Sequence, residues 1–178
     1  MLIKFDKYVL INGSKVFIHS DVMTCLKIIE LLPEGQEIKP KTLAKVLALF
    51  FRDNWQNHVD DKSFKAMTEF LFKKLDEFDH PKSEKTLDII KDFDAIYSGI
   101  LRVYKVDIIE EKIHWWKFLL MLADLGDETS IAYRMKMRGT NLSSIKDPAQ
   151  KAEIAKVKNV FRLTKKLSLD ERNKRWRG

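Results

Sequence analysis

The chain is poor in the residues that build staples, phosphate loops and metal centres. Among its 178 residues there is one cysteine, Cys25, so no internal disulfide can form, and the thiol fits a reducing compartment. Its six glycines form neither a GxGxxG nor a GxxxxGK pattern, which excludes the common nucleotide-binding loops. The four histidines, His19, His58, His80 and His114, stand far apart and at no metal-ligand spacing from Cys25 or from one another. No apolar run reaches the roughly 18 residues of a membrane span. The longest candidate, from Trp115 to Leu125, is broken by Lys117 and Asp124. Lys4, Asp6 and Lys7 interrupt the start before a secretory h-region could develop, so no leader is expected.

What remains is a globular composition with a lopsided charge. Hydrophobic residues make up 45% and aromatics 11%, which argues against disorder and predicts a folded body that needs no metal or disulfide. The net charge of +7 lies entirely in the C-terminal region. From Lys146 onward there are 11 basic residues against 4 acidic ones, whereas residues 1–145 carry 22 of each sign. We therefore expect a single domain over residues 1–163 and a basic extension over 164–178.

Periodicity predicts a mainly α fold: a single-domain helical bundle preceded by a short N-terminal β-hairpin. Tyr8–Ile11 and Lys15–Ile18 flank Asn12-Gly13, the pair that best tolerates the positive φ angles of a type I′ turn. Ser20-Asp21 predicts the cap of a first helix with Val22, Leu26, Ile29 and Leu32 on one face, ended by Pro33-Glu34-Gly35. A second helix starts near Pro40, and a third carries Phe64, Met67, Leu71, Leu75 and Phe78 inward. Further helices are expected over Leu87–Val103, from about Ile109 to Leu125 with Gly126 as its C-cap, over Glu128–Arg138, and from Asp147-Pro148 onward.

Convergent chemistry is missing. Glu110-Glu111 and Asp127-Glu128 sit near predicted helix starts, where the macrodipole favours negative charge without any acid–base role. Cys25 falls on an apolar helix face and reads as a small buried hydrophobe. The expected function is binding, with no catalytic residue, no cofactor and no metal. Two features could serve it. In His114-Trp115-Trp116-Lys117-Phe118, core packing is the default, but Trp115, Trp116 and Phe118 are also candidates to line a groove for a partner helix. At the C-terminus, Lys165, Lys166, Arg172, Lys174, Arg175 and Arg177 are electrostatic candidates for an acidic partner or for phosphates, with Trp176 able to stack on a base. A solvated basic extension is the favoured reading of them, since no nucleic-acid-binding signature accompanies them.

The same aromatic string carries a resemblance. His114 to Phe118, Leu125, Arg138 and Leu142-Ser143-Ser144-Ile145-Lys146-Asp147 resemble the C-terminal signature of the phage gp-fifteen family, found in siphophages and prophages of Gram-positive bacteria. Asp94-Ala95-Ile96-Tyr97, Tyr104 and Asp107 fall where the family has similar residues, and Asn12-Gly13 matches its usual hairpin turn. Likeness is dense from about Asp92 to Leu163 and thin from Pro33 to Lys91. The sequence departs at Val106 and in its basic end. The resemblance implies no activity. Members are typically encoded beside the tape measure protein, which implies a tail assembly chaperone of the host cytoplasm that binds the tape measure while the tube polymerises. The tail tube protein and further copies of the chain are additional expected partners. A structural virion subunit of the tail or connector, and a nucleic-acid-binding module using the basic end, are the alternative expectations.

Overall fold

The computed structural model describes residues 5–33, 37–73 and 85–163. It opens with an antiparallel hairpin, β1 (Tyr8–Ile11) and β2 (Ser14–Phe17), followed by seven α-helices among the described residues. The mainly α expectation with an N-terminal hairpin holds. Asn12 and Gly13 turn the hairpin with φ of 51° and 80°, the left-handed values that a two-residue primed turn requires.

Helices α1 (Val22–Leu31), α2 (Pro40–Phe50) and α3 (Asp61–Phe72) follow. The side chain of Asp21 caps α1 by accepting from the Thr24 amide at 2.9 Å, and that of Asp60 caps α3 through the Ser63 amide at 2.7 Å. Pro40 occupies the first turn of α2, where its missing N–H costs nothing. The polar stretch from Asn54 to Asp60 contains one 3-10 turn at Trp55–His58. Leu75 and Phe78, assigned to the third helix by periodicity, lie outside the described residues.

Two helices start later than their apolar periodicity predicts. Helix α4 begins at Phe93 rather than Leu87. Upstream of it, the Asp88 carboxylate accepts from the amides of Ile90 and Lys91, and the Asp92 carboxylate accepts from the Asp88 amide. Such local side-chain acceptors satisfy backbone donors in a turn and compete with the helix. Helix α5 begins at Trp115 rather than Ile109. Asp107 holds a turn through the amides of Ile109 and Glu110. The backbone just after it pairs across the fold: the Val22 amide donates to Ile113 O at 3.0 Å and the Trp115 amide to Ser20 O at 2.6 Å. Carbonyls and amides engaged in that bridge cannot also extend the helix. Helix α5 ends at Ala123 with Asp124 as its C-cap, so Gly126 does not serve as the expected cap.

Thr129 caps α6 (Ser130–Gly139), and Asp147 caps α7 (Pro148–Val160), as its Asp-Pro start predicts. The core is one cluster of buried side chains in which Trp115, Phe50, Phe51, Phe118, Leu47, Met67, Leu71, Ile96 and Ile100 are fully enclosed. Helix α5 contributes Trp115, Phe118, Leu119, Met121 and Leu122 to it and packs against α1 and α4. Helix α7 has no fully buried residue and packs on α6 at the periphery.

The adjacent tryptophans fasten α5 to the end of α3. Trp115 Nε1 donates to Leu71 O at 3.1 Å, and Trp116 Nε1 donates to Phe70 O at 3.0 Å. Both acceptors are last-turn carbonyls, the groups a helix end leaves without internal partners. Replacing Trp115 with Ala should cost about 3–5 kcal/mol, because it opens a cavity and orphans a buried carbonyl. Trp116→Phe, which keeps the stacking on Phe70, should cost about 1 kcal/mol. Urea unfolding followed by circular dichroism measures both.

Candidate interaction site

Among the candidates for a partner groove, the structure separates the three aromatic residues. Trp115 and Phe118 have no exposed surface and stack on one another, with ring centroids 5.3 Å apart. In this fold they have nothing to offer a partner. Trp116 is half-buried, with its ring stacked on Phe70 at 5.0 Å. Lys165, Lys166, Arg172, Lys174, Arg175 and Arg177 lie outside the described residues.

His114 explains why the aromatic string begins as it does. Its Nδ1 accepts from the Trp116 amide at 3.1 Å, capping α5, while Nε2 lies 3.0 Å from Asp6 O. A ring that accepts at Nδ1 and meets a carbonyl at Nε2 is neutral, with its proton on Nε2. Burial pushes the His114 pKa below its ordinary 6.5, only partly offset by the carbonyl of Asp6. Protonation would abolish the cap, since Nδ1 would become a donor facing an amide.

A buried ion network binds the C-terminal helices to the rest. Arg138 makes a bidentate pair with Asp92, at 2.6 Å from Nη1 and 2.7 Å from Nη2, with both residues almost wholly enclosed. The same guanidinium donates to Thr86 O at 2.8 Å and to Phe161 O at 2.6 Å. One turn earlier, Arg134 grips Asp94 at 2.9 and 2.8 Å and reaches Asp92 at 3.4 Å. The Arg134 guanidinium holds the Asp94 carboxyl below its usual range. Tyr97 donates to Asp107 at 3.1 Å, and Tyr104 donates to Met121 O and Asp124. Asp94, Tyr97, Tyr104, Asp107 and Arg138, all part of the sequence signature, are thus partners in structural ties between segments. Sequence reading named them but could not pair them, because the partners stand 10 to 52 positions apart.

A family comparison over these same segments decides the identity of the chain. The description "Bacteriophage Gp15 protein" matches residues 5–163, nearly the whole chain. The chain belongs to this family. Gp15 membership places it among phage structural or morphogenesis proteins. No curated protein and no solved structure is a match.

In this Gp15 protein the hairpin carries the clearest apolar surface. Register pairs Tyr8 with Phe17 and Leu10 with Lys15, so strand alternation sets these four side chains on one face. Leu10 is 61% exposed and Phe17 54%, while Ile11 on the other face is buried. Tyr8 packs edge-on to Phe17, and the Lys15 ammonium lies 4.4 Å above the Tyr8 ring. Sequence reading found the hairpin but overlooked this face; a strand that is apolar at both alternating positions was the available signal. No described helix is long and apolar enough to cross a membrane, and no described cluster of His, Cys, Asp and Glu could hold a metal. Burial, with the Asp21 charge adding to it, pushes the Cys25 thiol far above its ordinary pKa, so it stays protonated.

Two tests follow from this chemistry. Arg138→Ala and Asp92→Ala should each destabilise by about 3–5 kcal/mol, since each strips a buried charge of its bidentate partner, and the double variant should cost much less than their sum. A urea double-mutant cycle measures this. For His114 the folded pKa lies below the unfolded value of 6.5, so the unfolded chain binds the proton more readily. Stability is then complete above that value and declines as pH falls through 6.5 toward the lowered pKa. Thermal melts between neutral and mildly acidic pH should show this decline, and His114→Asn, which retains a capping acceptor, should flatten it.

Proposed function

We propose that this Gp15 protein is a tail assembly chaperone that binds the tape measure protein in the host cytoplasm while the tail tube polymerises. Membership of the Gp15 family carries the reading, because it restricts the chain to phage structure and morphogenesis. Its function is binding rather than catalysis, and the exposed hairpin face supplies a suitable surface. A tape measure is a long, helix-rich chain whose apolar stripes aggregate unless covered. Leu10, Phe17 and Tyr8 form a contiguous apolar patch with one cation, Lys15, able to meet such a stripe. Contacts of this kind are individually weak, and several chaperone copies along one tape measure gain by avidity.

Co-expression with the tape measure protein of the same phage, followed by pull-down after nuclease treatment, tests the reading. Soluble tape measure should be recovered with the wild-type chain and persist at high salt, as apolar contacts are little screened. Leu10→Ser with Phe17→Ser should abolish that recovery without unfolding the domain. Tape measure that stays insoluble beside the wild-type chain would sink the proposal. Stoichiometric amounts of this protein in purified virions would instead mark it as a structural subunit.

A further inference from the structure

Helices α6 and α7, the turn at Leu142–Ser144 and Lys85 enclose a cleft of about 410 Å³. Among the described residues its charged lining is wholly basic: Lys85, Arg138, Lys158 and Arg162 contribute to it, and no described acidic residue does. The Arg138 charge is balanced by Asp92. Lys85 also approaches Asp88 at 3.9 Å, and Lys158 donates to Thr140 O at 3.1 Å. Each ammonium carries three donors and can share them among several acceptors. Arg138 has five N–H donors, and its four hydrogen bonds among the described residues leave one Nη2 hydrogen over.

Apolar surface accompanies the charge, from Leu142 and Leu163. The volume lies toward the lower end for ligand pockets, enough for one or two side chains and too little for a whole helix. Beyond Leu163 the sequence continues with six Lys or Arg residues and two acidic ones over positions 164–178. The basic character of the cleft therefore continues along the chain from its own lining.

We propose that the α6–α7 cleft is a docking site for an acidic, partly apolar segment of a partner protein. Carboxylates of that segment meet Lys85, Lys158 and Arg162, and its apolar side chains meet Leu142 and Leu163. Charge complementarity selects the acid, and the leucines select a peptide over a bare anion. Nucleic acid is the poorer fit, because no described aromatic residue lines the cleft to stack on a base. The site stands apart from the hairpin face and does not depend on the tape measure being the partner.

Fluorescence anisotropy with the full chain tests this, using a short labelled peptide of glutamates interspersed with leucines. The peptide should bind at low salt and weaken as salt rises. Arg162→Glu, a change at an exposed position, should weaken it by about tenfold, and Lys85→Glu provides a second charge reversal should the first fail to fold. Lys117→Glu, on α5 and outside the cleft lining, should leave binding unchanged. Three results would each overturn the proposal: unchanged peptide binding by a folded Arg162→Glu or Lys85→Glu chain, equal binding of a glutamine–leucine peptide, or tighter binding of an oligothymidylate of the same length. The last would reassign the basic surface to nucleic acid.

Discussion

The bidentate pair between Arg138 and Asp92 is the contact on which the C-terminal half depends. One guanidinium joins the carbonyl of Thr86, the carboxylate before α4, helix α6 that carries it and the carbonyl that ends α7. Helix α7 has no fully buried side chain, only the partly buried apolar Ile154, Ala155 and Val157, so polar ties add to a thin apolar contact. The pair lies where water cannot replace a lost partner, which makes it costly to break even though its net contribution against an apolar alternative is small. Its value is positional: it fixes where α7 lies against α6, and therefore the shape of the cleft between them.

A second tie, built from aromatic rather than ionic groups, organises the N-terminal half. The two indole N–H groups close the carbonyl end of α3, while His114 caps the start of α5 and reaches Asp6. A string of five adjacent residues thereby connects the segment before the hairpin, α3 and α5. This accounts for two neighbouring tryptophans without a ligand. Their separation of about 100° around the helix sends one ring inward and leaves the other half-buried, yet both nitrogens reach consecutive carbonyls.

These ties leave the proposed binding surfaces away from the most conspicuous sequence features. The aromatic string and the Asp–Tyr–Arg signature are consumed by the fold, and the surfaces proposed for partners are the hairpin face and the basic α6–α7 cleft. One is apolar with a single cation, the other is cationic with some apolar area. Two modest surfaces of different chemistry would suit the proposed chaperone role, since neither has to be tight for the pair to be selective.

The sequence by itself determined the fold class, the hairpin with its Asn12-Gly13 turn, the capped starts of α1 and α7, and the resemblance to a phage family. Those features rest on local physics: φ preferences, capping side chains and apolar periodicity act over a few residues and need no partner. Tertiary structure alone decided where α4 and α5 begin, because the donors of residues 88–92 and 109–115 are claimed by carboxylates and by the strand-like bridge to residues 20–22. It also decided that Trp115 and Phe118 are enclosed, that Arg138 finds Asp92 across 46 positions, and that Lys85 joins Lys158 and Arg162 around one cleft. Which charge meets which, and which apolar face is left uncovered, depends on long-range packing that periodicity does not encode.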